Sequence, residues 1–403
     1  MPFLSRRRLC RLAVLAPLVL AAGPLEAGAF EAVREKARGQ TVYLNAWGGS
    51  PQINDYVAWA GRQTSERFGV ELVHVKLTDT GEAVSRVLAE KAAGRLDGGS
   101  VDLVWINGEN FAAMKEQELL FGPFAGRLPN AALVDTEGKP TTLVDFTLPT
   151  DGYESPWGMA QFVFFHDTAR LAEPPRSIAG LLAWAEENPG RFAYPAPPDF
   201  TGTSFLKHVL RATVADPARL RSPVTPEAFD AMSGGLWDYL DALRPHLWRS
   251  GTTYPANKEA LHQLLDDGAV DLSMAYNPAE GSSLIEAGRL PDTVRSFILE
   301  GGTIGNTHFL AIPFNAAHKE GAMVVADFLL SPEAQARKQD PAVWGDPTVL
   351  AVDRLAPADR ARFEALELGV ATLPPEALVP SLPEPDPSWV RLLEARWIER
   401  YAR

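Results

Sequence analysis

Apolar and polar positions from residue 40 onward alternate between two periods, and the switches mark the elements. Val42–Ala46 reads as a strand. Ser50-Pro51 then supplies an N-cap and an N1 proline, and Ile53, Tyr56, Val57 and Ala60 form a stripe at helical spacing that Gly69 ends. Val70–Leu77 alternates again, with Val73, Val75 and Leu77 on one face. Thr78-Asp79-Thr80 caps a predicted helix over Gly81–Ala93, with Val84, Val87 and Leu88 facing inward. Val101–Ile106 is the third strand and Glu109–Glu118 its following helix. Such a β-α-β-α-β series predicts parallel strands joined by right-handed crossovers.

A second α/β unit follows the proline- and glycine-rich stretch Gly122–Gly158. Gln161–His166 and Val270–Ala275 read as strands, with helices at Ser177–Glu187, Thr203–Ala212, Pro226–Leu243 and Lys258–Asp267. Thr307–Ile312 reads as a return strand and Lys319–Leu330 as a helix stopped by Ser331-Pro332. Leu350–Pro387 is proline-rich. Ser388–Ala402 then sets Trp389, Leu392, Leu393, Trp397 and Tyr401 along one side of a last helix. A chain of 403 residues has room for two cores.

The first thirty residues break this pattern. Four arginines (Arg6, Arg7, Arg8, Arg11) precede the apolar run Leu12–Ala22, and Ala27-Gly28-Ala29 offers small residues for a peptidase. This predicts an export signal, of the general secretory or twin-arginine kind, cleaved after Ala29 and delivering the chain to the periplasm. The apolar run is too short to span a bilayer of about 30 Å, so no stable membrane insertion is expected. Cleavage removes four arginines and Glu26 and takes the net charge from −13 to −16. It also removes Cys10, the one cysteine, and with it any disulfide or thiolate chemistry. An acidic exported chain does not suit nucleic acid, whose phosphates would repel it.

In a parallel sheet, ligands bind beyond the carboxyl ends of the strands. Three loops lie there: Trp47-Gly48-Gly49-Ser50, Thr78-Asp79-Thr80 and Asn107-Gly108-Glu109-Asn110. The glycine pair either lets backbone N–H groups approach a ligand beside the Trp47 indole or serves a tight strand-to-helix turn. The other two loops serve either as ligand contacts or as caps, and Glu109 suits the dipole of its own helix. The seven histidines have no metal-site spacing, so neither a metal nor a cofactor is expected. No nucleophile elbow, phosphate loop or zinc-protease motif occurs, so no catalytic residue is assigned. Asp79 with Glu109 imitates a glycosidase pair, which keeps a secreted hydrolase of small glycans as the alternative.

The segments Val101–Ile106, Glu154–Asp167, Gly268–Tyr276, Glu300-Gly301-Gly302 with Leu310–Pro313, and Ala322–Gln335 occur in an order that resembles the solute-binding proteins of ABC importers. The match is to those with the type II two-lobed periplasmic fold. The wording around Trp47–Ser50 and Trp105–Asn110 is similar to the YnjB-like branch. The resemblance implies an α/β protein of two lobes joined by a hinge, with the ligand cleft between them. It implies a monomer that captures a small-molecule solute and docks on an ABC-transporter membrane permease. The expected N-terminal lobe is residues 30–155 plus about 307–345, the C-terminal lobe 156–306, with 346–403 packing on a lobe. Trp157 falls where the chain should cross between lobes. Thr201, Gly202 and Ser204, preceding a helix, resemble the second lobe's ligand grip. Tyr276, Asn277 and Glu280 match the family's usual cleft position, and Asn306 lies on the return crossover. Iron-binding relatives use paired tyrosines, and no adjacent Tyr-Tyr occurs here. Trp47, Trp105, Trp157 and Tyr276 beside Asp79 and Glu109 favour an organic cation or polar heterocycle, thiamine-like or amine-bearing. A stacked sugar comes second and an anion on Thr201–Ser204 third.

Overall fold

A computed structural model describes residues 24–378 and 380–402. The candidate export segment before Pro24 lies outside the described residues; Ala27–Ala29 falls within the helix Pro24–Ala37. Eleven strands are described: β1 Thr41–Trp47, β2 Glu71–Leu77, β3 Leu103–Ile106, β4 Val144–Asp145, β5 Leu148–Pro149, β6 Glu154–Gln161, β7 Val163–Asp167, β8 Leu272–Ala275, β9 Val294–Phe297, β10 Thr303–Ala311 and β11 Ser381–Leu382.

The larger sheet has the order β11-β10-β3-β1-β2, with β6 also paired to β10. β1 runs parallel to β2 and β3, as the crossovers require. β10 is antiparallel to β3 and β6. Helices cover both faces of this sheet, so its central strand β3 is an unbroken apolar run rather than an alternating one. Leu103 and Leu310 join one core with Val42, Leu44 and Val57, while Val104, Ile106 and Phe309 join another with Val87 and Phe111. β2 is the edge strand. Accordingly only Leu77 of its expected inner face is buried and Val73 is exposed. In the next helix Val87 points inward, while Leu88 turns to solvent and Ala83 takes its place.

The smaller sheet, β8-β7-β9, is antiparallel and packs under the helices Ile178–Glu187, Phe200–Thr213, Gly234–Leu243 and Lys258–Asp266. The expected helix Pro226–Leu243 is two, broken at Ser233 before Gly234-Gly235. The last helix, Pro387–Tyr401, buries Trp389, Leu393, Trp397 and Tyr401 in the smaller lobe's core, while Val349, Leu350 and Phe363 belong to the larger lobe's.

Two strands link the lobes. β6 pairs along its length with β10, from Glu154 against Ala311 to Gln161 against Gly305, and the chain then turns at Phe162 into β7. β10 starts beside β11 and the smaller core at Ile304 and ends in the larger one at Leu310. This antiparallel pair is the connection between the two lobes, where a hinge of this fold lies.

Candidate functional site

The carboxyl ends of β1, β2 and β3 bring Trp47–Ser50, Thr78–Thr80 and Asn107–Asn110 to one rim of the larger lobe. The glycine pair answers to protein neighbours. A Cβ on Gly49 would lie 2.3 Å from the Trp47 indole, and one on Gly48 would lie 2.6 Å from the Lys76 side chain. Trp47 therefore folds back over its own turn, half-buried against the core. Ser50 caps the next helix through Ile53 N–H, and Asn54 donates to the Gly48 carbonyl at 3.0 Å. On the second loop, Asp79 accepts from Gly81 N–H, and Glu82 reaches back to the N–H groups of Thr78 and Asp79. Thr80 makes no cap bond; its hydroxyl donates to the Trp105 carbonyl. On the third, Asn107 donates to the Thr307 carbonyl on the hinge strand, and Glu109 stands exposed in the first turn of the helix Glu109–Glu116 beside half-buried Asn110.

Beneath this rim lies a buried carboxyl pair. Both oxygens of Asp145 accept Gly108 N–H at 2.9 Å, whereas the two buried oxygens of Glu154 meet no N–H or hydroxyl donor. Burial first, and then the neighbouring charge, pushes both pKa values well above the carboxylate range. Acceptors without donors in a dry site favour the protonated form, so both carboxyls keep their protons to higher pH than an exposed carboxylate does. The sign follows: with folded pKa values raised, the pair's contribution to stability is full below the ordinary carboxylate pKa and is lost as pH rises through the raised values. Glu154→Gln should therefore raise the melting temperature at pH 8, by an amount equivalent to about 1–2 kcal/mol, and change it little at pH 4.5. Parallel melting curves for the two proteins across that range would refute the raised carboxyl pKa values.

The smaller lobe's expected ligand grip is occupied by its own chain. The helix begins at Phe200, not Thr203, so Thr201, Gly202 and Ser204 lie inside it. The Asp199 carboxylate takes the N–H groups of Thr201 and Gly202, each at 3.0 Å, and a Cβ on Gly202 would sit 2.0 Å from the Pro195 carbonyl oxygen. Ser204 donates to the Phe200 carbonyl. A helix start already filled by a carboxylate is not open to an anion.

Tyr276 and Asn306 are brought together by a residue that sequence reasoning missed. Glu384, arriving on the C-terminal segment, accepts from the Tyr276 hydroxyl at 2.5 Å, from Asn306 Nδ2 at 3.1 Å and from Lys207 Nζ at 2.9 Å. Lys207 and Glu384 side chains are each 1% exposed. Glu394, on the last helix, accepts the Thr203 hydroxyl at 2.7 Å. Asn277 and Glu280 lie off this cluster. Asn277 donates to the Trp344 carbonyl across the lobe boundary. Burial would raise the Glu280 pKa, but Lys258 and then His262 hold it at about 2.

Trp157 sits on the crossover strand but is fully buried. Its ring meets those of Trp105 and Trp344 edge-on at 5.3 and 5.5 Å, and the Lys338 ammonium lies 4.1 Å from its centroid. The aromatic faces that pointed to a cationic ligand at Trp157 thus already hold a lysine of the chain. A signal for Lys338 and Glu384 does exist in the sequence: they fall beside tryptophan-, glycine- and proline-rich turns. Lys207, among Thr203, Ser204 and Arg211 on its helix face, carries none.

Comparison with known proteins agrees with this architecture. The family profile of the bacterial extracellular solute-binding proteins matches residues 59–350. The chain is 44% identical over 372 residues to Protein YnjB of Escherichia coli K12, covering 92% of this chain and 94% of that one. A crystal structure of an ABC transporter protein from Clostridium perfringens superimposes with a TM-score of 0.62 at 16% identity, over 90% of this chain and 99% of the other. AfuA of Actinobacillus pleuropneumoniae, solved with fructose-6-phosphate bound, gives 0.60 at 13% identity, over 90% and 99%. Among the described residues no helix is long and apolar enough to cross a membrane. The two-lobed α/β fold, the hinge pair and the profile match lead to one assignment: the chain belongs to the bacterial extracellular solute-binding proteins, the periplasmic components that bind small solutes for ABC transporters and work with a membrane permease.

Proposed function

We propose that the solute captured between the lobes is a small organic cation, amine-bearing or thiamine-like, handed on to an ABC permease. The observation that supports this reading is carboxylate on both sides of the gap: Glu109 stands exposed in the first turn of its helix on the larger lobe, and Glu394 accepts the Thr203 hydroxyl on the smaller. Burial and the Glu109 charge both raise the Glu394 pKa. The two carboxylates are electrostatic neighbours, and Lys207, the lysine beside them, is already neutralised by Glu384. A cation entering the gap relieves that repulsion, and closure around it is a population shift towards the state with the added contacts. Half-buried Trp47 supplies an aromatic face in place of Trp157.

A thermal-shift screen of the purified protein against amines, thiamine compounds, neutral sugars and oxyanions tests this. A ligand at a hundred times its Kd stabilises by about 2.7 kcal/mol. Stabilisation by amines or thiamine compounds, abolished in Glu109→Gln with Glu394→Gln, is the expected result. Stabilisation by neutral sugars or oxyanions alone would overturn the cationic assignment while leaving the family's transport role intact.

A further inference from the structure

Between β4 and β5 the chain makes a two-residue turn, and its tip, Phe146-Thr147, leaves the larger lobe. Phe146 has φ +52°, a left-handed conformation that a bulky L residue avoids. Such outliers persist only where the surroundings impose them. Here the base of the turn is pinned by Asp145, which takes Gly108 N–H on both oxygens. The Phe146 ring lies against Gly108 itself, where a Cβ would come within 2.8 Å of it. Gly108, at φ +60°, is thus required twice: for its own backbone conformation and for the ring above it.

Across the lobe boundary, the same ring faces Lys207, whose ammonium is 5.6 Å from its centroid and 5.0 Å from that of Phe200. Next to it, the Thr147 hydroxyl donates to Asp386 at 3.2 Å. Neither partner is free to follow the finger. Lys207 is fixed by Glu384, and Asp386 caps the last helix through Ser388 N–H. Rotation about β6 and β10 must therefore break both contacts at the tip before it disturbs the base.

We infer that the Asp145–Phe146–Thr147 turn is a clasp between the lobes, with Phe146 a positioning residue whose ring on Lys207 favours the closed arrangement. The clasp involves no solute atom, so it holds whichever ligand class the cleft selects. Its effect is on the population of closed molecules, and through that on apparent affinity.

The test uses the full chain with Cys10→Ser, so that the pair Thr147→Cys and Asp386→Cys supplies the only two thiols. Air oxidation with copper–phenanthroline then reports how often residues 147 and 386 meet, read as the rate of intramolecular disulfide formation on non-reducing gels. The parent pair should cross-link; adding Phe146→Ala should slow it about fivefold or more, and Phe146→Tyr should keep it within about twofold. Phe146→Leu, which retains the bulk over Gly108 but not the π face, is the second variant and should slow cross-linking at an unchanged melting temperature. A parent pair that does not cross-link overturns the inference. So does an undiminished rate in both Phe146→Ala and Phe146→Leu.

Discussion

Lys338→Met is expected to destabilise the protein by about 3–5 kcal/mol, because it removes one partner of a buried ion pair. Lys338 is 0% exposed; its ammonium donates to the Trp157 carbonyl at 2.8 Å and to Asp346. The rings of Trp157 and Trp344 lie 4.1 and 4.2 Å away, so the charge also gains cation–π contact. The site is built around it: a Cβ on Gly158 would meet Nζ at 1.8 Å and Asp346 at 1.9 Å. Methionine fills the volume but leaves Asp346 with His308 Nε2 at 2.9 Å as its remaining partner. Burial lowers the Lys338 pKa to about 8 although Asp346 opposes the shift. A lysine depressed in the folded state stabilises fully above its ordinary pKa, and that contribution is lost as pH falls through 8. Urea midpoints should therefore show the wild-type's relative stability rising between pH 8 and the usual lysine range, with that rise absent from Lys338→Met. The double variant Lys338→Met with Asp346→Leu should recover most of the loss, since no bare charge remains. Equal losses in the single and double variants would show that packing around the indoles, not the charge, sets the cost.

The sequence carries the fold wherever the signal is local. Ser50-Pro51 and Gly69 bound the helix Pro51–Phe68, and the residues buried on it include Ile53, Tyr56, Val57 and Ala60, the predicted stripe. The order of strands and helices also implies which loops share a rim, because parallel crossovers leave little choice. What is not legible is pairing over long separations. Nothing around Lys207 says that its counter-charge lies 177 positions away, or that Tyr276 and Asn306 will spend their polar atoms on the same carboxylate. Burial of Trp157 is equally silent: an aromatic on a crossover strand reads the same whether it faces ligand or Lys338. The glycine pair at 48–49 reads in the sequence either as room for a ligand or as a tight turn, and in the structure the groups that crowd it are Trp47 and Lys76. A glycine announces that something comes near, not what.

Glu384→Ala should cost about 3–5 kcal/mol, since it strands the Lys207 ammonium inside the protein. The pair is 1% exposed on both sides, and the Glu384 carboxylate also satisfies Tyr276 and Asn306. Glu384→Gln keeps the shape and one acceptor, so it should lose less than the alanine variant yet still leave the ammonium without its counter-charge. The difference between the two separates charge from volume. Loss should extend beyond stability. Lys207 is the fixed post against which Phe146 closes, and Tyr276 and Asn306 take their orientation from Glu384. An ammonium without its carboxylate leaves a net positive charge beside the gap, which repels an incoming cation. An amine or thiamine-type ligand should consequently bind Glu384→Gln at least about tenfold more weakly, measured by calorimetry at a temperature where the variant remains folded. Lys207→Met with Glu384→Leu removes both charges and should regain part of the stability, less the cost of the unpaired Tyr276 and Asn306 polar atoms, but not the affinity, because Phe146 then has no ammonium to close against and Tyr276 and Asn306 lose the carboxylate that orients them. Recovery of both together would mean that the C-terminal segment is a passive strut, and that the carboxylate excess at the gap does not depend on it.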